Sequence, residues 1–461
     1  MKKENILLLS VILIALVTRI YLFVLSSNTP LWWDETEYLN IARTFATGIL
    51  LPSLGIVRPI LLSLIISPLY RITNSLPLVE DLSRLLMLIF SIASVLGFYL
   101  CGKEMYNKTV GILAAFLIGM FSLGLVLTTK ILTDIPSFYC FVLGVYLFYM
   151  FLKYKQSKYI YFSSVAFAIG TLFKMNVLPM FFILLIIYTF KKDIKIKELL
   201  ISLLIFILLM IPYIIYGYVV YNNFVFTGAP GYVSSSAQSY LTSFIFNMTN
   251  YIITLIKYIF FIDINYQIAS LILVLLILIT LITMKKNLFI VLITAVPFIT
   301  TSLFIGHGED RYIIYCMLGI FLLMSSFIVS LTQRYKNKTI LTLVILLIIL
   351  WGSVQIYNGY ERVVTYAPAN NYVKEVGFWL RDNLSPGESA IATNPMQMSY
   401  YSNKYIYWFE DNKNKTDAIL KEKNIEYFII FKSEVTSDWM IQYNLTMINN
   451  TKDFVLYKYS K

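Results

Sequence analysis

The side chains of this sequence that could do chemistry are charged residues at the ends of long apolar runs. Asp34 and Glu35 follow the first of these runs, directly after two tryptophans. The other members of the set are Arg58, Lys130, Asp134, Lys174, Glu309, Asp310 and Arg311. Ionisable groups at membrane depth are costly and usually mark a substrate path. Basic residues beside carboxylates are the groups expected of an anion site next to a general base.

The stretch 31–38 is the centre of this interpretation. Its two tryptophans are the residues expected at the polar edge of a bilayer. Residues 35–47 are predicted to form a helix with one apolar side, which places a carboxylate pair at the head of an interfacial helix. A second interpretation is purely structural. Asp34 could cap this helix, and Glu37, three residues further on, could complete a capping box.

The other charged residues also have interpretations that involve no substrate. Arg58 and Lys174 could extend to lipid phosphates at the interface. Asp134 could cap the helix that follows it. Glu309 could form a surface ion pair with Arg311. The grouping of all these residues on one face of the predicted protein favours the anion-site interpretation.

The composition predicts a polytopic membrane protein. The chain has 461 residues, of which 59% are hydrophobic and 13% charged, whereas a soluble domain has about 25% charged residues. Runs of roughly 18 apolar residues, long enough to span a bilayer, recur along the chain. About eleven spans are predicted, at 5–25, 82–101, 110–128, 134–152, 159–173, 176–190, 199–221, 266–284, 287–305, 311–331 and 339–357.

Residue usage excludes several classes of site. Three cysteines, all in or beside apolar runs, predict neither a disulfide framework nor a metal cluster. The one histidine, His307, argues against a histidine-based triad or zinc site. The net charge is +12. In a membrane protein such an excess of basic residues is typical of the cytoplasmic loops. The sequence contains no basic stretch with interleaved aromatics, so nothing in it indicates a nucleic-acid partner.

The basic clusters predict the orientation of the spans. If the spans alternate, six clusters fall on one side, which is the cytoplasm by the positive-inside rule. They are Lys2/Lys3, Lys103/Lys108, Lys153/Lys155/Lys158, Lys191/Lys192/Lys195/Lys197, Lys285/Lys286 and Arg334/Lys336/Lys338. The short apolar segment 60–70 is then an interfacial helix in a long first outer loop. We therefore expect a multi-pass protein of the plasma membrane with its site on the extracytoplasmic side.

The C-terminal part has a different composition. Residues 1–358 are predicted to form the membrane domain and residues 359–461 a small extracytoplasmic α/β domain. Its predicted helices are 370–384, 416–424 and 434–443, and its predicted strands are 389–393, 404–409, 426–431 and 453–459. A second outer loop, 222–250, precedes an amphipathic segment at 251–261. The C-terminal domain has no phosphate-binding glycine loop, so we expect it to shape an acceptor site or mediate contacts.

Five short motifs resemble those of the GT-C superfamily of polyprenyl-phosphate-sugar-dependent glycosyltransferases. They are Trp33-Asp34-Glu35-x-x-Tyr38, Arg58-Pro59, Gly102-Lys103-x-x-Tyr106, Thr133-Asp134-x-Pro136 and Glu309-Asp310-Arg311-Tyr312. The branch of this superfamily that the chain resembles contains dolichyl-phosphate-mannose–protein mannosyltransferases and the bacterial lipid A aminoarabinose transferase. The mannosyltransferases have His-Pro-Pro where this chain has Arg58-Pro59-Ile60. The Trp-Trp-Asp-Tyr-Gly motif of oligosaccharyltransferases is absent, which disfavours transfer of a whole preassembled glycan.

The resemblance implies an inverting glycosyltransferase. It would move a sugar from a dolichyl- or undecaprenyl-type phosphate to a hydroxyl of a lipid, glycan or protein, in contact with membrane lipids. The implied catalytic residues are Asp34 and Glu35. The implied ligands of the donor phosphate are Arg58, Lys174, Arg311 and Lys130. Asp134, Glu309 and Asp310 are left to the substrate or to a divalent cation, Mg²⁺ or Mn²⁺, which some relatives do without.

Two other classes of function stay open at this point. A transporter or flippase of lipid-linked sugars would more often have charges in the middle of helices and internal repeats. Here the charges stand at helix ends, and the sequence shows no repeat. A non-catalytic envelope protein would leave Asp34, Arg58 and Asp134 individually dispensable.

Overall fold

The structure is a computed structural model of the chain. It describes residues 3–48, 58–73, 75–221, 237–261, 288–303, 309–335, 338–385, 387–409, 413–431, 443–450 and 454–459. These residues belong to two compact units. The first unit is Met1–Val24, Val57–Pro59 and Ser83–Arg362, and the second is Leu25–Ile56, Ile60–Leu82 and Val363–Lys461.

Helices make up most of the described chain. Up to the last long loop they are α1 Lys3–Ser26, α2 Trp33–Thr47, α3 Leu61–Ile66, α4 Leu69–Ile72, α5 Leu76–Met105, α6 Lys108–Met120, α7 Ser122–Thr128, α8 Asp134–Tyr154, α9 Ser157–Phe173, α10 Leu178–Phe190, α11 Ile196–Tyr221 and α12 Ala237–Phe260. They continue with α13 Leu288–Leu303, α14 Met317–Arg334, α15 Lys338–Asn383, α16 Pro395–Ser402 and α17 Lys413–Glu422. Two 3₁₀ helices, Met175–Val177 and Asp310–Cys316, precede α10 and α14.

Six of the described segments are long and apolar enough to cross a membrane. They lie in α1, α5, α8, α11, Asp310–Arg334 and α15, and the bent pair α6 and α7 would make a seventh. The helices α9 and α10 match the two shortest predicted spans, whereas the predicted span 266–284 lies outside the described residues. The predicted multi-span helical fold with a small C-terminal α/β domain is confirmed, and the number eleven stays a prediction.

The break between α6 and α7 is held by two polar side chains. The two helices meet at Phe121 and bend by 60°. Arg19, buried in α1, donates to the carbonyl of Gly119 at 2.7 Å, and the Gln355 oxygen accepts from the Ser122 N–H at 2.9 Å. Backbone groups without partners are costly inside a bilayer. The pair therefore satisfies the backbone on both sides of the break.

Four basic loops of the first unit come together at one end of the helices. The ion pairs are Lys108–Glu4 at 3.4 Å, Lys153–Glu104 at 3.0 Å and Lys155–Asp193 at 2.7 Å. Asp134 begins α8, and Lys153 lies in its last turn. A helix of that length, 21 residues, measures about 30 Å. Asp134 and this cluster of lysines are therefore at opposite ends of one membrane-length helix.

The second unit contains the helices of the first loop and a sheet. The strands are β1 Ser389–Ala392, β2 Ile406–Trp408, β3 Ile425–Phe431, β4 Leu445–Asn450 and β5 Phe454–Tyr459. Their order in the sheet is β2-β1-β3-β5-β4. The pairs β1–β2 and β1–β3 are parallel, whereas β3–β5 and β4–β5 are antiparallel. Buried residues of α15 and the strands, among them Val376, Leu380 and Ile429, form its core.

Several predicted elements of the loops and the C-terminal part need correction. The helix α15 is continuous, so the predicted break between 357 and 370 is wrong. Residues 237–250, predicted as loop, form the first part of α12. The helix α16 and the strand β4 were not predicted. The predicted helix 434–443 lies outside the described residues except for its last residue.

The predicted short helix at 60–70 is present as α3 and α4, with a turn at Ser67–Pro68. The second unit joins this loop to the C-terminal residues. The compact units therefore cut across the predicted boundary at residue 358, and the division into 1–358 and 359–461 stays a prediction.

Candidate functional site

The first unit contains a buried cluster of charges around Asp134. Asp134 is the first residue of α8, and its side chain is 1% exposed. The ammonium of Lys174 lies 2.5 Å from one carboxylate oxygen, and a guanidinium nitrogen of Arg311 lies 3.9 Å from the other. Each basic side chain is 13% exposed. Three of the predicted site residues are thus brought together at one end of the helices.

The local backbone explains how these side chains meet. The helix α9 ends before Lys174, whose N–H still bonds to the Gly170 carbonyl while its own φ of −159° is extended. Lys174 therefore lies outside the helix, in the connection between α9 and the following 3₁₀ helix. Arg311 lies in the 3₁₀ helix Asp310–Cys316, which begins at the turn before α14.

Tyr312 and Glu309 complete the surroundings of the two cations. The Lys174 ammonium is 4.1 Å from the centre of the Tyr312 ring, and the Arg311 guanidinium is 5.4 Å from it. Glu309 pairs with the Nε of Arg311 at 2.5 Å, so the predicted Glu309–Arg311 ion pair is confirmed. Fixed cations in a site from which water is largely excluded can stabilise negative charge that develops on a departing group.

The capping role considered for Asp134 is wrong. The N-cap position of α8 is Thr133, and Asp134 instead pairs with Lys174. Since its carboxylate is already placed against this cation, Asp134 holds the basic side chain in position. That contact also gives Lys174 a protein partner, in place of the lipid phosphates considered from the sequence.

Asp310 belongs to a second polar network that the sequence did not predict. The hydroxyl of Tyr258 donates to its carboxylate at 2.9 Å, and Arg362 bonds to the same hydroxyl. The side-chain amide of Gln355 donates to the Tyr258 carbonyl. The sequence signal that could have indicated this network is the charge of Arg362, just beyond a long apolar run. Nothing in the sequence distinguishes Tyr258 from the other tyrosines, of which the chain has 36 in all.

Lys130 and Arg58 have different surroundings in the first unit. Lys130 is buried, at 5% exposure, in the segment between α7 and α8. Its carbonyl accepts the N–H of Leu132, which forms a tight turn before Asp134. Arg58 is half-buried in the short segment before α3. Their assignment to the donor phosphate stays a prediction.

Asp34 and Glu35 lie in the first turn of α2, in the second unit. The helix begins at Trp33 and its N-cap is Trp32, so the interpretation of Asp34 as the cap is wrong. Glu35 is fully buried, and its carboxylate accepts the N–H of Trp32 at 2.6 Å. Asp34 is only half-buried. The capping carboxylate is therefore Glu35, and the neighbouring Asp34 is the more accessible of the two.

Tyr400 lies on the helix α16 of the same unit and contacts another buried tyrosine, Tyr70 of α4. Burial, followed by the proximity of Tyr70 and Glu80, raises the pKa of Tyr400 well above its ordinary value. Its hydroxyl therefore stays protonated at physiological pH.

The described carboxylates do not gather into a cluster of three or more metal-ligating side chains. Among the residues that the structure describes, no three Asp, Glu, His or Cys side chains come together to hold a metal ion. Asp134 faces two cations instead. Asp134 is therefore paired with basic side chains, and the assignment of Asp134, Glu309 and Asp310 to the substrate or to a divalent cation stays a prediction.

Known proteins match this architecture at the level of fold. The family model of dolichyl-phosphate-mannose–protein mannosyltransferase matches residues 57–216, about a third of the chain. No curated protein gives a significant match. The crystal structure of ArnT from Cupriavidus metallidurans bound to undecaprenyl phosphate is 11% identical, with 98% of this chain and 97% of that chain covered and a TM-score of 0.64. The chain has the GT-C fold.

A second solved structure with this fold is an archaeal oligosaccharyltransferase. AglB from Archaeoglobus fulgidus, in complex with an inhibitory peptide and a dolichol-phosphate, is 12% identical. The alignment covers 100% of this chain and 75% of AglB, with a TM-score of 0.57. The resemblance to GT-C proteins inferred from the five motifs is confirmed, and it extends over the whole length of the chain.

Proposed function

We propose that this protein is a membrane glycosyltransferase that moves a sugar from a polyprenyl phosphate to an acceptor hydroxyl. The observation that carries the proposal is the pair of cations, Lys174 and Arg311, each 13% exposed, around the buried Asp134 in a GT-C fold. Solved structures of the similar proteins ArnT and AglB contain undecaprenyl phosphate and a dolichol-phosphate, respectively. A lipid-linked phosphate is therefore the ligand class that the cluster fits best.

The basic residues of the first unit are assigned to the donor phosphate. A guanidinium can bind phosphate through two parallel hydrogen bonds, whereas an ammonium acts as a point charge. Lys174 and Arg311 have this role in the cluster, and Arg58 and Lys130 are assigned to the same phosphate. Asp134 and Glu309 orient the cations, since each carboxylate already contacts one of them.

Asp34 is assigned as the general base. It accepts the proton of the acceptor hydroxyl while that oxygen forms a bond to the anomeric carbon of the sugar. The bond between the anomeric carbon and the phosphate oxygen breaks, and its electron pair leaves with the lipid phosphate. A single displacement inverts the anomeric configuration. We place this reaction on the extracytoplasmic side of the plasma membrane, because the basic clusters favour the other side for the cytoplasm.

The test uses a product that every such donor yields. Purified protein in lipid vesicles would be given a panel of polyprenyl-phosphate hexoses and pentoses together with lipid, glycan or peptide acceptors. We expect free polyprenyl phosphate to form only when both a suitable donor and an acceptor are present. Movement of intact donor across the vesicle without bond cleavage would instead favour the transport alternative.

Binding of the leaving group provides a second measurement. Undecaprenyl phosphate and undecaprenol have the same lipid chain and differ in the phosphate. We expect Lys174→Met and Arg58→Ala to weaken binding of undecaprenyl phosphate while leaving the weak binding of undecaprenol unchanged. Equal binding of the phosphate by wild type and both variants would refute the assignment of these side chains.

A further inference from the structure

The short helix α16 of the C-terminal part is buried on all sides. All eight of its residues, 395–402, are buried, although three of them, Gln397, Ser399 and Ser402, are polar. A short helix of a surface domain usually has one polar face in water. Buried polar side chains have hydrogen-bond partners in nearly all native structures, and the partner of Gln397 lies in the first loop.

Two side chains of α16 bind both polar groups of one peptide residue. The amide of Gln397 donates to the Leu31 carbonyl at 2.6 Å, and the hydroxyl of Tyr401 accepts the Leu31 N–H at 3.0 Å. Leu31 itself is fully buried. These two hydrogen bonds restrain the position of the Leu31 backbone.

Leu31 stands immediately before the N-cap of α2. The next residues, Trp32 and Trp33, pack against aromatic rings of the same unit. The ring centres of Trp32 and Tyr366 are 5.8 Å apart, and those of Trp33 and Trp408 are 4.9 Å apart. Further along α2, the side-chain amide of Asn40 donates to the carbonyl of Met396 at 3.4 Å. Contacts with the C-terminal residues therefore lie on both sides of Asp34 in the sequence.

From these contacts we infer that Gln397 and Tyr401 are positioning residues for Asp34. The inference rests on the proposed function, because it takes Asp34 as the base. The C-terminal residues sit 366–370 positions away in the sequence and supply the two hydrogen bonds that set where the first turn of α2 begins. A displacement of about 1 Å in a catalytic group can cost up to about a hundredfold in rate. The C-terminal residues thus take part in the reaction through the geometry of the first loop.

The test compares two substitutions that keep the packing. Tyr401→Phe keeps the ring, which packs against Phe378 and Tyr400, and removes the oxygen. Gln397→Leu keeps the approximate size and removes the donor. We expect kcat to fall about tenfold in each variant, with the donor KM changed less than about twofold, because the groups that bind donor phosphate are untouched.

A matched control removes the same chemical group elsewhere in the C-terminal part. The Tyr443 hydroxyl donates to Asp417 at 2.6 Å, and Tyr443→Phe removes that bond without touching α2. We expect its kcat to match wild type. Amide hydrogen exchange gives a readout that does not depend on turnover. Exchange in the peptide 31–47 should speed up in Tyr401→Phe and not in Tyr443→Phe, while exchange in β3 should stay unchanged in both.

Two outcomes would overturn the inference. Wild-type kcat in Gln397→Leu and Tyr401→Phe, with Asp34→Asn inactive, would show that α16 does not position the base although the transferase function stands. Equal acceleration of exchange in 31–47 and β3 would indicate a general loss of stability. Absence of transfer by the wild-type protein would instead refute the proposed function, and the exchange measurement would then decide alone whether α16 orders the start of α2.

Discussion

Asp34 and Glu35 are adjacent carboxylates with different surroundings, and this difference can be tested residue by residue. Asp34→Asn keeps the size of the side chain and removes the negative charge at the start of α2, which costs about 0.3–1 kcal/mol of stability. If Asp34 is the base, the transfer rate should fall on the order of 10²-fold or more. The measurement is the initial rate of polyprenyl phosphate release, alongside the melting temperature of each variant.

Glu35→Gln tests the neighbouring carboxylate in the same assay. The amide oxygen of glutamine can still accept the Trp32 N–H that Glu35 binds at 2.6 Å, so we expect the fold to persist. A large loss of rate in Glu35→Gln would support the catalytic role that the sequence assigned to Glu35. Near-normal rates in Asp34→Asn and in the double variant would remove Asp34 from the mechanism.

The Lys174–Asp134 pair predicts a stability effect that is separate from substrate binding. Lys174→Met leaves the buried Asp134 carboxylate with only the longer contact to Arg311, at 3.9 Å, so it should destabilise the protein by on the order of 3 kcal/mol. Asp134→Asn combined with Lys174→Met should restore part of this stability, because the buried carboxylate is then neutral. Denaturation of the single and double variants measures the coupling between the two residues.

Lys153→Met is the control for charge removal from the helical bundle. Lys153 pairs with Glu104 at 3.0 Å, but its side chain is 39% exposed, and an exposed pair contributes about 0–1 kcal/mol. We expect it to change neither stability nor binding of undecaprenyl phosphate appreciably. Equal losses in Lys153→Met and Lys174→Met would contradict a special role for the buried pair.

At the level of elements, the contact between α5 and α6 depends on two glycines. A Cβ added to Gly111 would lie 2.5 Å from the Tyr99 carbonyl oxygen and 2.9 Å from the Lys103 nitrogen. A Cβ on Gly102 would lie 2.7 Å from the Cα of Gly111. Because these atoms are backbone, they cannot move aside without separating the helices. The motif Gly102-Lys103-x-x-Tyr106 thus contains a packing glycine.

Gly111→Ala should therefore destabilise the protein by about 1–3 kcal/mol, the usual cost of overpacking. Gly124→Ala in α7 is the matched control, since its Cβ would meet its nearest atom at 3.9 Å. Alanine is favoured over glycine inside a helix by about 0.5–1 kcal/mol, so this control should be neutral or stabilising. Thermal denaturation in one detergent compares the two, and a Gly111→Ala protein as stable as Gly124→Ala would contradict the close packing.

The elements that the sequence predicted well are those with a strong local signal. Apolar runs gave α1, α5, α8 and α11, and the apolar strand at 426–431 corresponds to β3. The helix α16 was missed because its burial comes from contacts with residues far away in the sequence. The strand β4 was missed because its residues, half of them apolar and nearly all of them exposed, show no regular alternation. Long-range contacts leave no periodic pattern in one chain.

At the level of the whole molecule, the site was predictable in its residue types and only partly in its contacts. Four of the charges predicted at helix ends, Asp134, Lys174, Glu309 and Arg311, come together in the first unit, and their roles stay predictions. Arg19 is also a buried charge, inside the first apolar run, and no role was predicted for it. The contacts of Gln397 and Tyr401 could not be predicted, because their partners are backbone groups, the carbonyl and the N–H of Leu31.

The orientation of the molecule in the membrane is the prediction on which the location of the reaction depends. The lysine pairs Lys108–Glu4 and Lys153–Glu104 lie at the end of the helices opposite Asp134, in agreement with the loops chosen as cytoplasmic from their charge. A cysteine in place of Lys158, which is exposed at the start of α9, should therefore be protected in intact cells. A cysteine in place of the exposed Asn414 should be accessible from outside.

An impermeant thiol reagent measures both positions against a low background, because Cys101, Cys140 and Cys316 are all buried. We expect the Asn414→Cys protein to be labelled in intact cells and the Lys158→Cys protein only after lysis. Both proteins should react equally once the membrane is opened, which controls for the reactivity of each thiol. The reverse pattern would place the C-terminal residues in the cytoplasm. The acceptor hydroxyl would then have to be a cytoplasmic one.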